Sequence, residues 1–273
     1  MRGFHDRRPG ATAAAYGAGQ GPDGRSSYQV LADLCGVYDR VLDLGAGDGY
    51  LLDVVRARRG DGREGLASDA QRLVAVDLSL GELRAAGARS PGLPRVLARA
   101  QRLPFAASTF DIVLSHLAFT LMADPDAIAA ELARVLGPGG RFAAIVGGGP
   151  RGDDAFAGFL DLARPYFTSA ATITPTPRLG DRRARTDDGL AALFAPATGF
   201  TLPTITDLPI DLSGSPDEVW SRLEPAYELA ALPPDARADL HAAFLAAAPR
   251  WRRADGLIGC TMATRLVIAT RTA

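Results

Sequence analysis

Short apolar runs alternate with amphipathic stretches along the chain from residue 40 onward. The runs at 41–44, 73–77, 95–98, 111–114 and 141–146 are typical of buried β-strands. Helix start signals lie between them, such as Ser79 with Glu82 three residues later, and Asp124 followed by Pro125. Strands that alternate with helices at this spacing predict βαβ units. The pattern therefore predicts an α/β fold built on a parallel sheet.

The pattern changes after residue 146, where helices become more frequent than strands. Amphipathic helices are predicted over 153–167, 186–196 and 235–248, and another helix begins after Ser215, which has a capping-box glutamate at position 218. Strands are predicted over 200–211 and 262–270. Two helices are therefore inserted between the last two strands, where they can cover one end of the sheet.

Three glycines follow the first predicted strand, in the segment RVLDLGAGDGY of residues 40–50. Gly45, Gly47 and Gly49 form the first strand-to-helix turn, at the sheet edge where open α/β folds bind ligands. The acids Asp43 and Asp48 would repel a pyrophosphate and attract a cation. Asp77 ends the next strand, where it can accept hydrogen bonds from ribose hydroxyls. The segment predicts a site for a positively charged nucleoside, the alternative being a tight turn without a ligand.

Composition excludes several classes of protein. The 273 residues carry a net charge of −1, so no overall field attracts nucleic acid or an anionic membrane. The two cysteines have neither metal-ligand nor disulfide-framework spacing, and no metal site is expected. No apolar run is long enough to span a bilayer, and the first ten residues lack the core of a signal peptide, so a cytoplasmic protein is expected. The absence of lysine excludes Schiff-base chemistry and a P-loop.

Four segments together resemble the motifs of class I S-adenosylmethionine-dependent methyltransferases. They are VLDLGAGDG at 41–49, LVAVDLS at 73–79, RAQRLPFAASTFDIVLSHLAF at 99–119 and ELARVLGPGGRF at 131–142. The resemblance covers residues 40–147 and is nearest to the small-molecule type found in quinone biosynthesis and natural-product tailoring. It implies a Rossmann-like, doubly wound, mostly parallel seven-stranded sheet with an antiparallel last strand and a helical cap or lid.

The resemblance also implies a division of the chain. Residues 1–39 would form cap helices, and residues 40–212 and 255–273 the cofactor-binding core. Residues 151–185 and 213–254 would be helical lid insertions that form the substrate pocket.

The resemblance implies S-adenosylmethionine as cofactor, with S-adenosylhomocysteine as product, and gives individual residues their roles. Asp43 would lie near the amino group and Asp77 would bind the ribose hydroxyls. The other implied contacts are the backbone of Gly45, Ala46 and Gly47, the adenine contacts Leu78, Ala100 and Gln101, and Ser115 and His116 near the methionine portion and the methyl group.

Arg99 departs from the family pattern, which places an acid there to accept the adenine amino hydrogens. Arginine has no acceptor, so either a backbone carbonyl takes that role or the guanidinium stacks on the ring. A shifted local alignment is a third reading. The segment 60–71 also lengthens the gap before Asp77 and is interpreted as a surface insertion.

The chain has three histidines, the residue type that most often acts as a general base. His116, at the end of a predicted central strand, is the candidate catalytic base or substrate-orienting residue, the alternative being a packed structural histidine. His241 lies on a helix beside apolar neighbours, where a structural role is common. His5 falls in a stretch interpreted as a loose terminus and receives no role.

Aromatic residues in the C-terminal half suggest an apolar substrate pocket. The same stripes at helical spacing are also typical of core packing. The candidate pocket residues are Tyr166, Phe167, Trp220, Tyr227 and His241.

The sequence is compatible with three functions. The first is methylation of a small, fairly hydrophobic metabolite, with oxygen as the favoured nucleophile, in natural-product tailoring. The second is another reaction of the bound sulfonium, such as a rearrangement or cyclisation, and the third is a non-catalytic binding module. Enzymes of this fold that methylate nucleobase amines end the fourth strand with a Pro-Pro-aromatic segment. This chain has Leu114-Ser-His-Leu117 there, which argues against a nucleobase substrate. The expected partner is a small-molecule acceptor, not nucleic acid or a membrane, with the chain as monomer or homodimer.

Overall fold

The computed structural model describes residues 2–36, 39–59, 72–168, 180–225, 229 and 232–273. A mixed sheet with helices on both faces forms its centre, so the predicted α/β, Rossmann-like class is confirmed. The strands are β1 Val41–Leu44, β2 Leu73–Asp77, β3 Arg95–Leu97, β4 Phe110–His116, β5 Leu136–Pro150, β6 Thr204–Asp207, β7 Ile210–Asp211 and β8 Thr261–Thr270.

Helices precede the sheet, connect its strands and follow β5. They are α1 Arg2–Arg7, α2 Ala11–Tyr16, α3 Ser27–Ala32, α4 Tyr50–Arg58, α5 Leu80–Arg89, α6 Pro125–Val135, α7 Ala155–Thr168, α8 Asp187–Leu193, α9 Pro216–Leu223 and α10 Pro234–Ala247. Among the described residues, no helix is both long and apolar enough to cross a membrane.

The strands lie in the order β3-β2-β1-β4-β5-β8-β6, and β7 also pairs with β8. The first five are mutually parallel, whereas β8 runs antiparallel between β5 and β6. One strand was predicted over 200–211, but the structure has two pieces, which raises the strand number from seven to eight. Pro209 stands between the pieces and has no N–H to donate to a strand ladder, which accounts for the break.

Alternate residues of the central strands enter two separate cores. Leu42 and Phe142 pack in the cluster beneath α6 and α8, while Val41 and Ala143 pack with α3 and α4 on the opposite face. Successive strand side chains point to opposite faces, so a strand covered on both sides is apolar at every position. This double coverage explains why the central strands read as continuous apolar runs.

A third apolar cluster joins α7, α9 and α10 beside the end of β8. Its aromatic centre contains Phe159, Trp220 and Phe244, with the Phe244 ring 5.5 Å from that of Trp251. Ser215 and Glu218 form the predicted capping box at the start of α9. The C-terminal helices therefore have a core of their own, formed in part by residues that the sequence suggested for a substrate pocket.

We expect Gly158→Ala to lower the free energy of unfolding by about 1–3 kcal/mol, as overpacked cores do. Gly158 lies in α7, and an added Cβ would overlap the ring of Trp251. That clash should outweigh the gain of about 1 kcal/mol that alanine brings to a helix. Urea unfolding measures the change.

Gly87→Ala in α5 is the matched control, because its Cβ would meet only the flexible end of Arg95. We expect this variant to unfold like the wild-type protein or at higher urea. Equal stability of the Gly158 and Gly87 variants would contradict the packing argument.

Candidate functional site

A cavity of about 360 Å³ opens at the carboxyl ends of β1, β2 and β4. Its volume is that of a site for one small molecule. Its walls come from five parts of the chain: the glycine turn after β1, the end of β2, residues 98–101, residues 116–123 and the helical segments before β1. Glu82, in the first turn of α5, and Gly180 also line it.

The glycine turn forms one wall of this cavity. Gly45, Gly47 and Gly49 have φ values of 75°, 54° and 78°, a region that favours glycine. A Cβ on Gly45 would lie 2.5 Å from the Cβ of Ala118, so no side chain fits there. The amides of Gly45 and Ala46 both donate to the Val76 carbonyl, at 2.8 and 3.0 Å. The turn is thereby held against β2 with bare backbone facing the cavity.

Asp43 carries a buried carboxylate at the base of the cavity. Its side chain is 1% exposed, and Oδ2 has no hydrogen-bond partner. Burial raises the pKa of this carboxyl well above its usual range, and the neighbouring charges of Asp77 and Asp48 raise it further. A bound cation would relieve all three effects, so the site fits a ligand that carries an ammonium or sulfonium group.

We expect Asp43→Asn to stabilise the ligand-free protein by about 1–3 kcal/mol at pH 8 while weakening cofactor binding. A raised folded-state pKa means that ionisation of Asp43 costs stability as the pH rises above the usual aspartate range. The gain from asparagine should therefore be larger at pH 8 than at pH 5. Urea unfolding at both pH values and calorimetric titration with S-adenosylhomocysteine measure the two effects.

Asp111→Asn is the control, and its stability is expected to change in the opposite direction. Asp111 lies on the neighbouring strand β4, where its Oδ1 accepts from the Arg40 guanidinium at 2.7 Å and the pKa of its carboxyl is lowered. Asparagine should therefore lower stability there. Loss of stability in the Asp43 variant at pH 8 would contradict the account of an uncompensated charge.

Asp77, at the end of β2, accepts two backbone hydrogen bonds across the mouth of the turn. Gly47 N donates to Oδ2 at 3.0 Å and Ser79 N donates to Oδ1 at 2.8 Å. Leu78 beside it also lines the cavity and is 37% exposed. Each carboxylate oxygen has a further lone pair, so Asp77 can still accept from ligand hydroxyls.

Residues 98–101 form the far end of the cavity beyond Asp77 and Leu78. Arg99, Ala100 and Gln101 all line it. The Gln101 amide donates to the carbonyl of Ala123, which ties this segment to the loop after β4. Arg99 thus borders the cavity at the position where the family carries an acid.

His116 lines the cavity at the end of β4 and is held by α3. Its Nε2 lies 2.8 Å from Ser27 Oγ, and the Tyr28 ring stacks on the imidazole with centroids 3.6 Å apart. Burial lowers the pKa of His116 to about 3, so the imidazole is neutral near pH 7. Nδ1 is buried and has no partner. This geometry suits a neutral orienting group better than a strong base.

The remaining predicted site residues lie away from these walls. Ser115 points into the sheet, where its Oγ donates to the Leu44 carbonyl at 2.9 Å. Tyr166, Trp220 and His241 pack with the helices of the third cluster, and Trp220 stacks on His241 with centroids 4.5 Å apart. Tyr227 lies outside the described residues, as does the side chain of Phe167 in α7.

Several cavity residues were not predicted as site residues. Tyr28 lies on α3, within residues 1–39, which the resemblance implied only as cap helices. Glu82 was interpreted as half of a capping box, but its carboxylate binds His5 and the Gly10 amide instead of the Ser79 amide. His5 lies in α1 beside the cavity, so the interpretation of a loose terminus was wrong.

Comparison with known proteins finds a family model that matches part of the chain. Residues 42–144 match the family model described as a methyltransferase domain. Over 131 residues the chain is 37% identical to a demethylmenaquinone methyltransferase of Corynebacterium urealyticum, covering 48% of this chain and 54% of that protein. Over 101 residues it is 38% identical to a malonyl-[acyl-carrier protein] O-methyltransferase of Laribacter hongkongensis, covering 36% and 33%. The matched region is thus about half the length of the first relative and a third of the second.

The fold also has a counterpart among solved structures. The YcgJ protein of Bacillus subtilis superimposes with a TM-score of 0.57 at 19% identity, covering 90% of this chain and 98% of that one. At this identity the likeness concerns the fold alone. The sequence matches and the sheet order agree, and residues 42–144 are therefore similar to class I S-adenosylmethionine-dependent methyltransferase domains.

Proposed function

We propose that the protein transfers a methyl group from S-adenosylmethionine to an oxygen of a small, fairly hydrophobic metabolite. The observation that carries the proposal is the buried, unpartnered carboxylate of Asp43 beside the bare backbone of Gly45–Gly47. The two relatives named above are methyltransferases, which supports the reaction class.

Bound S-adenosylmethionine supplies a methyl group that is already activated on a sulfonium, and the transfer is an in-line displacement. Asp43 would neutralise its amino group, and Asp77 would accept from the ribose hydroxyls. Leu78 and Ala100 would pack on adenine, Arg99 would stack on it by its guanidinium, and Gln101 would lie along its edge. Alignment of the acceptor is then the main contribution of the protein to the rate.

Apolar side chains after β4 support a hydrophobic acceptor. Leu117, Ala118, Leu121 and Met122 line the cavity next to His116. A neutral imidazole whose pKa is about 3 takes a proton poorly from an aliphatic alcohol. The proposed acceptor is therefore a phenol or an enol, whose oxygen ionises readily, and His116 would orient that oxygen. The helices α7, α9 and α10 are proposed as the outer cover of the acceptor.

Incubation with methyl-labelled S-adenosylmethionine and an acceptor panel tests the proposal. The panel contains phenols and enols, with aliphatic alcohols, amines and carboxylic acids of similar size as comparisons. We expect label in the ether products of the phenols or enols, together with an equal amount of S-adenosylhomocysteine. Binding of S-adenosylhomocysteine without label transfer to any acceptor would favour a non-catalytic module. Consumption of S-adenosylmethionine without methyl transfer to any acceptor would favour a different reaction of the bound sulfonium.

A further inference from the structure

Residues 5–13, which we call the strap, run across one side of the cavity. His5, Gly10, Thr12 and Ala13 line the same cavity as Asp77. The strap is separated in sequence by more than sixty residues from the end of β2, so tertiary contacts alone hold it there. Those contacts converge on the first turn of α5.

Glu82 binds the strap at two points. Its side chain is 2% exposed, and Oε1 lies 2.7 Å from His5 Nδ1. Oε2 accepts from the Gly10 amide at 2.8 Å. Hydrogen bonds to a buried charged acceptor are stronger than average, so one carboxylate fastens two points of the strap that lie five positions apart.

Asp6, next to His5 in the strap, is held by the same turn. Its Oδ1 accepts from Ser79 Oγ at 2.7 Å and from Gly81 N at 3.1 Å. Backbone amides at a helix start lack intrahelical partners and attract negative charge, so Asp6 acts as a cap supplied from another segment. A Cβ on Gly81 would lie 2.8 Å from the Asp6 Cα, which shows how closely the two backbones pack.

Ser79 connects the strap to the proposed ribose carboxylate. Its amide donates to Asp77 Oδ1 while its hydroxyl donates to Asp6. The Asp77 side chain therefore orients Ser79, whose hydroxyl binds the strap. The conformation of Ser79 that binds Asp77 is thus the one that also binds the strap.

We propose that Glu82 is a positioning residue which, with Asp6, latches the strap over the bound cofactor and thereby slows its dissociation. The inference rests on the proposed cofactor site. A latch of this kind acts on the lifetime of the complex rather than on the chemical step. Removal of either carboxylate should open the strap without unfolding the sheet.

Stopped-flow measurement of S-adenosylhomocysteine dissociation and limited trypsin digestion test the latch together. Trypsin cuts after arginine, and the Arg7–Arg8 bond lies within the strap. In the wild-type protein, S-adenosylhomocysteine should slow cleavage of this bond at least 5-fold. Glu82→Gln and Asp6→Ala should each accelerate dissociation about 5- to 50-fold and cleavage to a similar degree, with the same urea midpoint. Asp6 is exposed, so its variant is the safer one for folding.

Asp23→Ala is the matched control, because Asp23 precedes the sheet on the same segment but pairs with Arg25 at 2.6 Å away from the strap. It should change neither rate. Unchanged dissociation and cleavage in both latch variants would overturn the proposal. Faster dissociation with unchanged cleavage in the Glu82 variant would also overturn it, since Glu82 would then contact the ligand directly. A wild-type protein that binds no S-adenosylhomocysteine would refute the proposed function, whereas ligand-free cleavage would still measure the latch.

Discussion

Replacing Asp77 with alanine is expected to weaken S-adenosylhomocysteine binding by about 1.5–3 kcal/mol, or roughly 10- to 150-fold in Kd. The variant removes the carboxylate proposed to accept from the ribose hydroxyls. It also releases the amides of Gly47 and Ser79, which donate to that carboxylate in the closed turn. Both losses act at the cavity, so affinity should fall more than stability. Calorimetric titration of wild-type and variant protein measures Kd.

Asp207→Ala provides the comparison for this prediction. Asp207 also ends a strand, β6, but its side chain is 71% exposed and its ion pair with Arg151 is a surface one. Surface pairs contribute little, so affinity and stability should stay near the wild-type values. A wild-type Kd in the Asp77 variant would contradict the cofactor site, and a fall in the urea midpoint with unchanged Kd would assign Asp77 a structural role.

Burial of His116 is expected to cost the protein about 2 kcal/mol of stability when the pH is lowered from 8 to 5. The pKa of His116 is about 3 in the folded protein, against about 6.5 for an unfolded histidine. Between these values the unfolded chain binds a proton that the folded chain does not, so the free energy of unfolding falls as the pH falls. The loss begins near pH 6.5 and is present at pH 5.

The comparison of wild-type protein with His116→Gln isolates this contribution. Glutamine stays uncharged and can accept from the Ser27 hydroxyl, while the titration of Asp43, which has the opposite sign, is common to both proteins. The variant should lose about 2 kcal/mol less between pH 8 and pH 5 in urea unfolding. Parallel pH profiles would show that His116 is solvated or paired when protonated, which would contradict its buried, neutral state.

The sequence located the glycine turn and the two carboxylates Asp43 and Asp77 at one edge of the sheet because its signals are local. The glycine turn, Asp43 and Asp77 lie at the ends of strands that their apolar runs identify, and parallel strands bring those ends to one edge. Glu82 shows the limit of such reasoning. Its position three residues after Ser79 predicts a capping box, yet the strap offers its carboxylate a histidine and an amide 77 and 72 residues away.

The aromatic residues of the C-terminal half show a second limit of sequence patterns, which concerns the packing partner of a helix. Periodicity placed Trp220 and His241 on amphipathic helices correctly, but it could not say whether their apolar faces meet a ligand or each other. In the structure the two rings stack, and Trp220 belongs to the core of α7, α9 and α10. The packing partner of an amphipathic face is a tertiary property.

By itself, the sequence determined the α/β class, the parallel order of βαβ units and the glycine turn with its two acids, since periodicity and backbone conformation depend on neighbouring residues. The tertiary structure alone decided the state of His116 and the position of the strap. Ser27 lies 89 residues from His116 in sequence, and the burial that lowers the pKa of the imidazole exists only once α3 packs on β4. Desolvation and long-range hydrogen bonds arise from packing, so no local pattern encodes them.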